Sequence, residues 1–167
     1  MSLDVYLIAK NEIPKKGTGI FIRENGGTKE LTFAEAKKRF PDTEIVEFDY
    51  EDDYVFDQNI TRNLGKMASE AGLYEALWRP HRLKKGYDIP EDDHNAEWEF
   101  EDANHSQAFE IIPILKKGIK KMKSNPEYFK KFNPENGWGT YEGLLSFAEK
   151  YLEACKEYPN SFISVSR

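Results

Sequence analysis

The sequence has little cysteine and lacks the long apolar segments of membrane proteins. Its single cysteine, Cys155, permits no disulfide within the chain, which is typical of proteins in a reducing compartment. The longest apolar run is far shorter than the roughly 20 residues that a membrane span needs. No charged segment followed by an apolar one stands at the start. We therefore expect a cytoplasmic protein without a membrane segment.

The sequence also lacks the motifs of several common enzyme classes. It contains no Gly-x-Ser-x-Gly nucleophile motif and no glycine-rich phosphate loop. Cys155 falls on an apolar helical stripe, where a thiol usually serves as a packing group. The acids and histidines between residues 92 and 105 match neither a helical His-x-x-x-His pair nor a calcium loop. The sequence therefore predicts no metal site and no cofactor.

Positive charge is missing from two acidic stretches. Residues 44–57 hold seven acids and residues 88–102 hold eight, and neither stretch contains a lysine or arginine. By contrast, residues 116–131 carry seven lysines and one glutamate. The net charge of −6 argues against general nucleic-acid binding, which needs concentrated positive charge. The acidic stretches are either solvated surface or a face that recruits a basic partner.

The 167 residues are enough for one domain with its own hydrophobic core. Alternating apolar residues from Leu3 to Ala9 predict a first strand, which we expect to be central, and residues 162–167 predict a closing strand. Strands at both ends with helices gathered between them indicate an α+β fold. We expect a small, largely antiparallel sheet, built from terminal and internal strands and covered by helices.

Residues 16–50 read as a strand, helix, strand excursion from this sheet. A strand over residues 18–23 is followed by a turn at Asn25-Gly26-Gly27. Thr32 and Glu35 have capping-box spacing, so a helix is expected to begin there and to end near Phe40. Ile45, Val46 and Phe48 predict the second strand of the excursion.

The second half of the sequence predicts mainly helices, separated by one long loop. Residues 82–103 show no helical or strand periodicity and are predicted to form an acidic loop, a kind of segment that is often functional or mobile. Pro113 interrupts one helical stripe, so either the helix kinks there or a new helix starts at the proline. The remaining predictions are a strand over 54–57, a helix from about 64 to 71 that ends at Gly72, and helices over 74–78, 108–122, 126–132 and 141–155.

Three polar and aromatic clusters are candidates for a binding site. Asn59, Arg62 and Asn63 lie where a strand should meet the first turn of a helix, a position whose free N–H groups favour anions. Trp78, Arg79 and His81 place a planar cation beside an indole, which suits stacking and anion recognition. Asn136, Trp138 and Tyr141 surround two glycines at the start of the last predicted helix.

We predict that these clusters bind a ligand together, and we expect six of their residues to meet around one cavity. The structural alternative is that both tryptophans fill the core, that Arg79 pairs with a carboxylate, and that Asn59 and Asn63 serve as cap and turn residues. The six residues are Asn59, Arg62, Asn63, Trp78, Arg79 and Trp138.

Three blocks of the sequence carry a resemblance that covers about two thirds of the chain. They are MSLDVYL at residues 1–7, NITRNLGKMASEAGLYEALWRP at 59–80 and NPENGWGTYEGLLSFAEKYLEAC at 133–155. Together they resemble a family of small, uncharacterised proteins encoded by bacteriophages and prophages. The resemblance implies expression in the cytoplasm of an infected bacterium, where many small acidic proteins act by binding host or defence components.

These observations lead to a binding function of one of two kinds. The Asn, Arg and Trp clusters favour an accessory protein that sequesters a small anionic, nucleotide-like molecule. The acidic stretches favour one that blocks a host or defence protein. The alternatives are a small hydrolase for a nucleotide-like substrate, with Asn59, Arg62 and His81 as orienting or proton-transfer groups, and a structural phage component. A carboxylate or histidine next to Asn59 would favour the hydrolase.

Overall fold

The computed structural model describes residues 2–9, 18–24, 26–45 and 54–167. Within these ranges the protein has the predicted α+β fold, with seven α-helices and two small antiparallel sheets. The strands are β1 (Ser2–Ile8), β2 (Phe21–Glu24), β3 (Gly27–Glu30), β4 (Tyr54–Thr61) and β5 (Phe162–Ser166). The helices are α1 (Phe33–Arg39), α2 (Gly65–Ala71), α3 (Tyr74–Trp78), α4 (His94–Ala103), α5 (Ala108–Ser124), α6 (Pro126–Lys130) and α7 (Tyr141–Glu157).

The larger sheet has three strands in the order β4-β1-β5, and both neighbours run antiparallel to β1. This arrangement confirms that the first strand is central. Leu3, Val5 and Leu7 point to one face and are fully buried, whereas the residues between them point to the other face. Val5 is paired with Gln58 of β4 on one side and with Val165 of β5 on the other.

The core lies between the buried face of this sheet and the two longest helices, α5 and α7. Each helix runs for 17 residues and turns its apolar stripe inward, as the sequence predicts. Phe56 of β4 stacks on Tyr151 of α7 with 5.3 Å between ring centroids, which joins the sheet to the helix layer. Cys155 is fully buried in α7, and burial raises the pKa of its thiol to about 12.

The described part of the excursion contains the predicted first strand, turn and helix, and one strand that was not predicted. β2 and β3 form a hairpin whose turn includes Gly26 at a φ of +77°. The sequence predicted the first strand of this hairpin and its turn, but β3 was not predicted. The capping box that starts α1 is present, because the Thr32 hydroxyl accepts a hydrogen bond from the Glu35 N–H. Of the predicted strand from Ile45 to Phe48, all but Ile45 lies outside the described residues.

The loop predicted for residues 82–103 is wrong in its second half, because α4 occupies His94–Ala103. The side chain of Asp93 caps this helix by accepting a hydrogen bond from the Ala96 N–H at 3.1 Å. Its fully buried residue is a glutamate, Glu97, so α4 has no apolar stripe for a periodicity argument to find. A 3-10 turn over Pro80–Leu83 precedes it.

Two predicted boundaries shift. β4 continues to Thr61, so Asn59 lies on the strand instead of at a helix start, and Arg62 and Asn63 belong to a 3-10 turn ahead of α2. α5 continues through Pro113, so no new helix begins at the proline.

The corner between α2 and α3 packs tightly against α5 at Gly118. A Cβ at this position would lie 2.3 Å from Leu73 Cδ2 and 3.1 Å from the Ala71 carbonyl oxygen. Leu73 is itself fully buried, so it has little room to move. Glycine is therefore required by close approach, although it weakens a helix interior.

We expect Gly118→Ala to lower the free energy of unfolding by about 1–3 kcal/mol, because the added methyl overpacks the contact with Leu73. Gly65→Ala is the matched control, since its Cβ would meet Tyr74 at an ordinary 3.6 Å. Urea unfolding of both variants tests the expectation. Equal stability of Gly118→Ala and the parent protein would contradict the close approach.

Candidate functional site

A cleft of about 720 Å³ opens between α4 and β5, and we call it the α4–β5 cleft. Its volume falls within the range of small-molecule sites, about 300–1,000 Å³. The α4 side contributes His94, Trp98, Glu101, Asp102 and His105, and the β5 side contributes residues 162–167. Ile8, Arg62 and Arg79 complete the lining.

The walls of the α4–β5 cleft carry two aromatic side chains from different elements. Trp98 of α4 is 60% exposed, so its indole ring is accessible from the cleft. Phe162 of β5 is half-buried and meets the His105 ring edge-on, with 6.1 Å between centroids. The cleft therefore offers a flat apolar surface on the α4 side.

The charge of the cleft lining differs in sign from that of the whole chain. Three arginines, Arg62, Arg79 and Arg167, face two carboxylates, Glu101 and Asp102, whereas the protein as a whole has a net charge of −6. Arg167 is paired with Glu101 and Arg79 with Glu97, so ion pairs within the protein offset most of this positive charge.

Beside the cleft lies a group of buried and partly buried polar side chains that we call the Glu97 cluster: Arg79, His81, Arg82, Glu97, Glu101 and Arg167. Glu97 Oε1 accepts hydrogen bonds from Arg79 Nη1 at 2.5 Å and Arg82 Nε at 2.8 Å. His81 Nε2 lies 2.8 Å from the same oxygen. The Glu97 side chain is only 1% exposed, so these partners replace water as its solvation.

The second carboxylate of the cluster joins α4 to the end of β5. Arg167 donates to both oxygens of Glu101, at 3.0 and 2.5 Å, and to the Trp78 carbonyl oxygen at 3.0 Å. His81 Nδ1 lies 3.3 Å from Glu101 Oε1, without the alignment of a hydrogen bond. His81 thus places one ring nitrogen against each glutamate.

Both glutamates are held in the charged form. Burial alone would raise the pKa of Glu97, but hydrogen bonds from Arg82, His81 and Arg79 outweigh it and hold the pKa well below its ordinary value. For Glu101, burial is likewise outweighed by His81 and Arg167, which lower the pKa to about 2. The hydrogen bond to Glu97 raises the pKa of Arg82. α4 is therefore fixed to the body of the protein by ion pairs.

The described pockets separate the predicted site residues. Arg62 and Arg79 line the α4–β5 cleft, whereas Asn59 lines a groove of about 350 Å³ between β4 and α7. Asn59 Nδ2 donates to Asp4 Oδ1 at 2.7 Å. The Asp4 carboxylate, a group of the kind that the hydrolase alternative needs next to Asn59, therefore lies beside it, but Asp4 is not among the described residues that line this groove.

Three predicted residues are buried in the body of the protein. Trp78 is 3% exposed and stacks on Tyr74 at 5.3 Å, as the structural alternative expects. Tyr141 is also buried, and its hydroxyl donates to the Met122 carbonyl oxygen at 3.1 Å. His81 belongs to the Glu97 cluster, and Arg79 pairs with a carboxylate there while also reaching the cleft.

The remaining predicted residues are exposed. Trp138 is 71% exposed and does not fill the core, and its backbone N–H donates to Asn136 Oδ1 at 3.0 Å. Asn63 is exposed as well, and its backbone N–H donates to the Thr61 hydroxyl at 3.3 Å. The predicted gathering of six residues around one cavity is therefore not what the structure contains.

The segment that contains Trp138 does contact the segment that contains Arg62, and the backbone of Gly139 makes the contact. Gly139 has a φ of +108°, and a Cβ there would lie 2.8 Å from both Leu64 Cγ and Thr61 Cγ2. The glycine next to Trp138 thus allows the loop ahead of α7 to pack directly on the junction between β4 and α2.

Sequence reasoning missed the residues that build the cleft, Trp98, Phe162 and Arg167, and the two buried glutamates. A signal was present: Glu97 and Glu101 are spaced four apart, as on one helix face, and Asp93 precedes them at a capping position. The basic segment Arg79 to Arg82 could have suggested their partners.

No grouping of three or more His, Cys, Asp or Glu side chains in the described ranges is arranged to hold a metal ion. None of the helices in those ranges has the length and apolar composition needed to cross a membrane. Comparisons of the chain with protein-family models, curated proteins and solved structures found no match.

We expect Glu97→Gln to destabilise the protein by about 3 kcal/mol, because it leaves two partly buried arginines without their counter-charge. Glu99→Gln removes an exposed carboxylate from the same helix and should change stability little. Thermal and urea unfolding compare the two variants. Equal effects would show that the Glu97 cluster does not anchor α4.

Acid should weaken the ion pairs of Glu101 over a defined range of pH. Because folding lowers the pKa of Glu101 from 4.5 to about 2, its stabilisation is complete above pH 4.5 and is lost as the pH falls toward 2. Urea unfolding between about pH 6 and pH 2 should show stability falling with pH, less steeply in Glu101→Gln than in the parent protein. Identical slopes for the two proteins would contradict this assignment.

Proposed function

We propose that the protein is a bacteriophage or prophage accessory protein that sequesters a small anionic, nucleotide-like molecule in the α4–β5 cleft, within the bacterial cytoplasm. The observation that carries the proposal is the pairing of an exposed indole, Trp98, with arginines in one cleft. An aromatic anion needs both a flat apolar face and a positive charge.

The lining supports such a ligand in three ways. Trp98 offers a ring face on which a base can stack. Arg62 and Arg79 supply guanidinium groups, which suit phosphate geometry. The hydroxyls of Ser164 and Ser166 on β5 are hydrogen-bonding groups of the kind that recognise a sugar or a base edge.

The pre-organisation of the cleft also supports binding. The α4 wall is held by the Glu97 cluster, so little ordering is required when a ligand enters. Sequestration requires only that the ligand be held, and no nucleophile or metal is needed for it. An anti-defence role would follow if the captured molecule were a signal of the host.

A second candidate is favoured by the acidic stretch 88–102. Six of its eight acids are exposed, while the other two, Glu97 and Glu101, turn toward the Glu97 cluster. The exposed acids suit a basic surface of a host or defence protein. This candidate predicts a partner chain in place of a small molecule.

The test is calorimetric titration with a panel of purine and pyrimidine mononucleotides and dinucleotides. Trp98→Ala should weaken the binding of the best nucleotide about tenfold or more, because stacking on an aromatic side chain contributes about 1–3 kcal/mol per base. Arg62→Ala should weaken the binding of the nucleotide but not that of the corresponding nucleoside, which has no phosphate.

Trp138→Ala is the matched control, since it removes another exposed indole that lies outside the α4–β5 cleft. Its affinity should equal that of the parent protein. If no nucleotide in the panel binds, or if Trp98→Ala and Trp138→Ala behave alike, the proposal fails. Capture of a host chain from infected cells by the parent protein would then support the second candidate.

A further inference from the structure

β4 is an edge strand of the three-stranded sheet, with β1 on one side. The direction of its backbone groups follows from β5. The Ile163 N–H donates to the Ser106 carbonyl oxygen and therefore points away from β1. Ile163 is paired with Leu7 of β1, so this pair is not hydrogen-bonded and Leu7 directs its own backbone groups to the other side, toward β4. Phe56, which is paired with Leu7, therefore faces β1 in the ladder.

Backbone direction alternates along an antiparallel strand, so Gln58 and Ile60 also face β1, whereas Asp57 and Asn59 face outward. In the described part of the chain these outward groups have no backbone hydrogen-bond partner. An eight-residue strand with an open edge is a template for pairing with another strand.

The sequence of β4 is complementary to itself in one antiparallel register. With Gln58 on a two-fold axis, Asp57 of each copy lies opposite Asn59 of the other, and both residues direct backbone groups into the new ladder. Phe56 then lies opposite Ile60, which matches apolar side chains on the core side of the sheet.

The neighbouring registers are poorer. An axis through Asp57 places two carboxylates directly opposite each other, which is destabilising. An axis through Asn59 places Phe56 opposite Arg62 and leaves Ile60 opposite Gln58. Only the axis at Gln58 separates the like charges and pairs the apolar residues.

Among the described residues, no strand is paired with the outer edge of β4. Two grooves, of about 460 and 350 Å³, run along β4 between the strand and α7, and they reach from Val55 to Thr61. Gln58, at the middle of the edge, is exposed. A second strand can therefore approach β4 over its length.

We propose that two copies of this chain associate through β4, antiparallel about a two-fold axis at Gln58, and form one six-stranded sheet. Most of the lining of the α4–β5 cleft comes from α4 and β5, at the opposite edge of the sheet, whereas Arg62, which also lines it, follows β4 and would lie opposite Tyr54 of the other copy. This inference does not depend on the proposed ligand.

Disulfide cross-linking tests the register. Gln58→Cys should form a covalent dimer under mild oxidation, because residues facing each other in a non-hydrogen-bonded pair have Cα atoms about 4.5 Å apart, within disulfide range. Asn59→Cys is the matched control, since its two copies would be about 8 Å apart, beyond that range. Cys155 is buried, so each variant exposes one thiol.

Light scattering of the parent protein completes the experiment and does not depend on either variant. The expected mass is twice 19.4 kDa, falling toward the single-chain mass on dilution. A single-chain mass at every concentration would overturn the proposal. So would a dimer in which Gln58→Cys cross-links no faster than Asn59→Cys.

Discussion

The ion pairs of Glu97 fix the part of the molecule on which the candidate site depends. A carboxylate that is 1% exposed is tolerated only because Arg79, His81 and Arg82 surround it, and those partners come from the segment that follows α3. Helix α4 is thereby tied to α3, and Glu101 ties it to Arg167 beside β5. The α4 wall of the cleft is held in place by these ion pairs.

This anchor differs in kind from the rest of the fold. Between the sheet, α5 and α7, stability comes from apolar side chains that tolerate many replacements of similar volume. An ionic anchor is less tolerant, since each partner that is lost leaves another charge buried. We therefore expect the residues that anchor α4, the helix that carries Trp98, to tolerate fewer substitutions than the apolar core.

The same difference explains how far the sequence could predict the structure. β1, α5 and α7 were predictable because their buried faces repeat apolar residues with strand or helix period. α4 was not, because its buried residue is a glutamate, Glu97, and the helix has no apolar stripe. Of the site, Arg62 and Arg79 were found from local chemistry, but Trp98 was lost with its helix. Asn59 and Trp138 were wrongly grouped with these arginines. Their segments do meet, but the contact is made by Gly139, which packs on Thr61 and Leu64, and the sequence does not show which residue of a segment makes a contact.

The state of Cys155 has a practical consequence. A thiol with a pKa of about 12, sealed within α7, is almost entirely uncharged at neutral pH and is shielded from alkylating reagents. Its modification must wait until the core opens, so the rate of labelling counts unfolding events in the intact protein. The labelling of Cys155, followed by mass spectrometry, therefore reports the opening of the core, even in a cell extract.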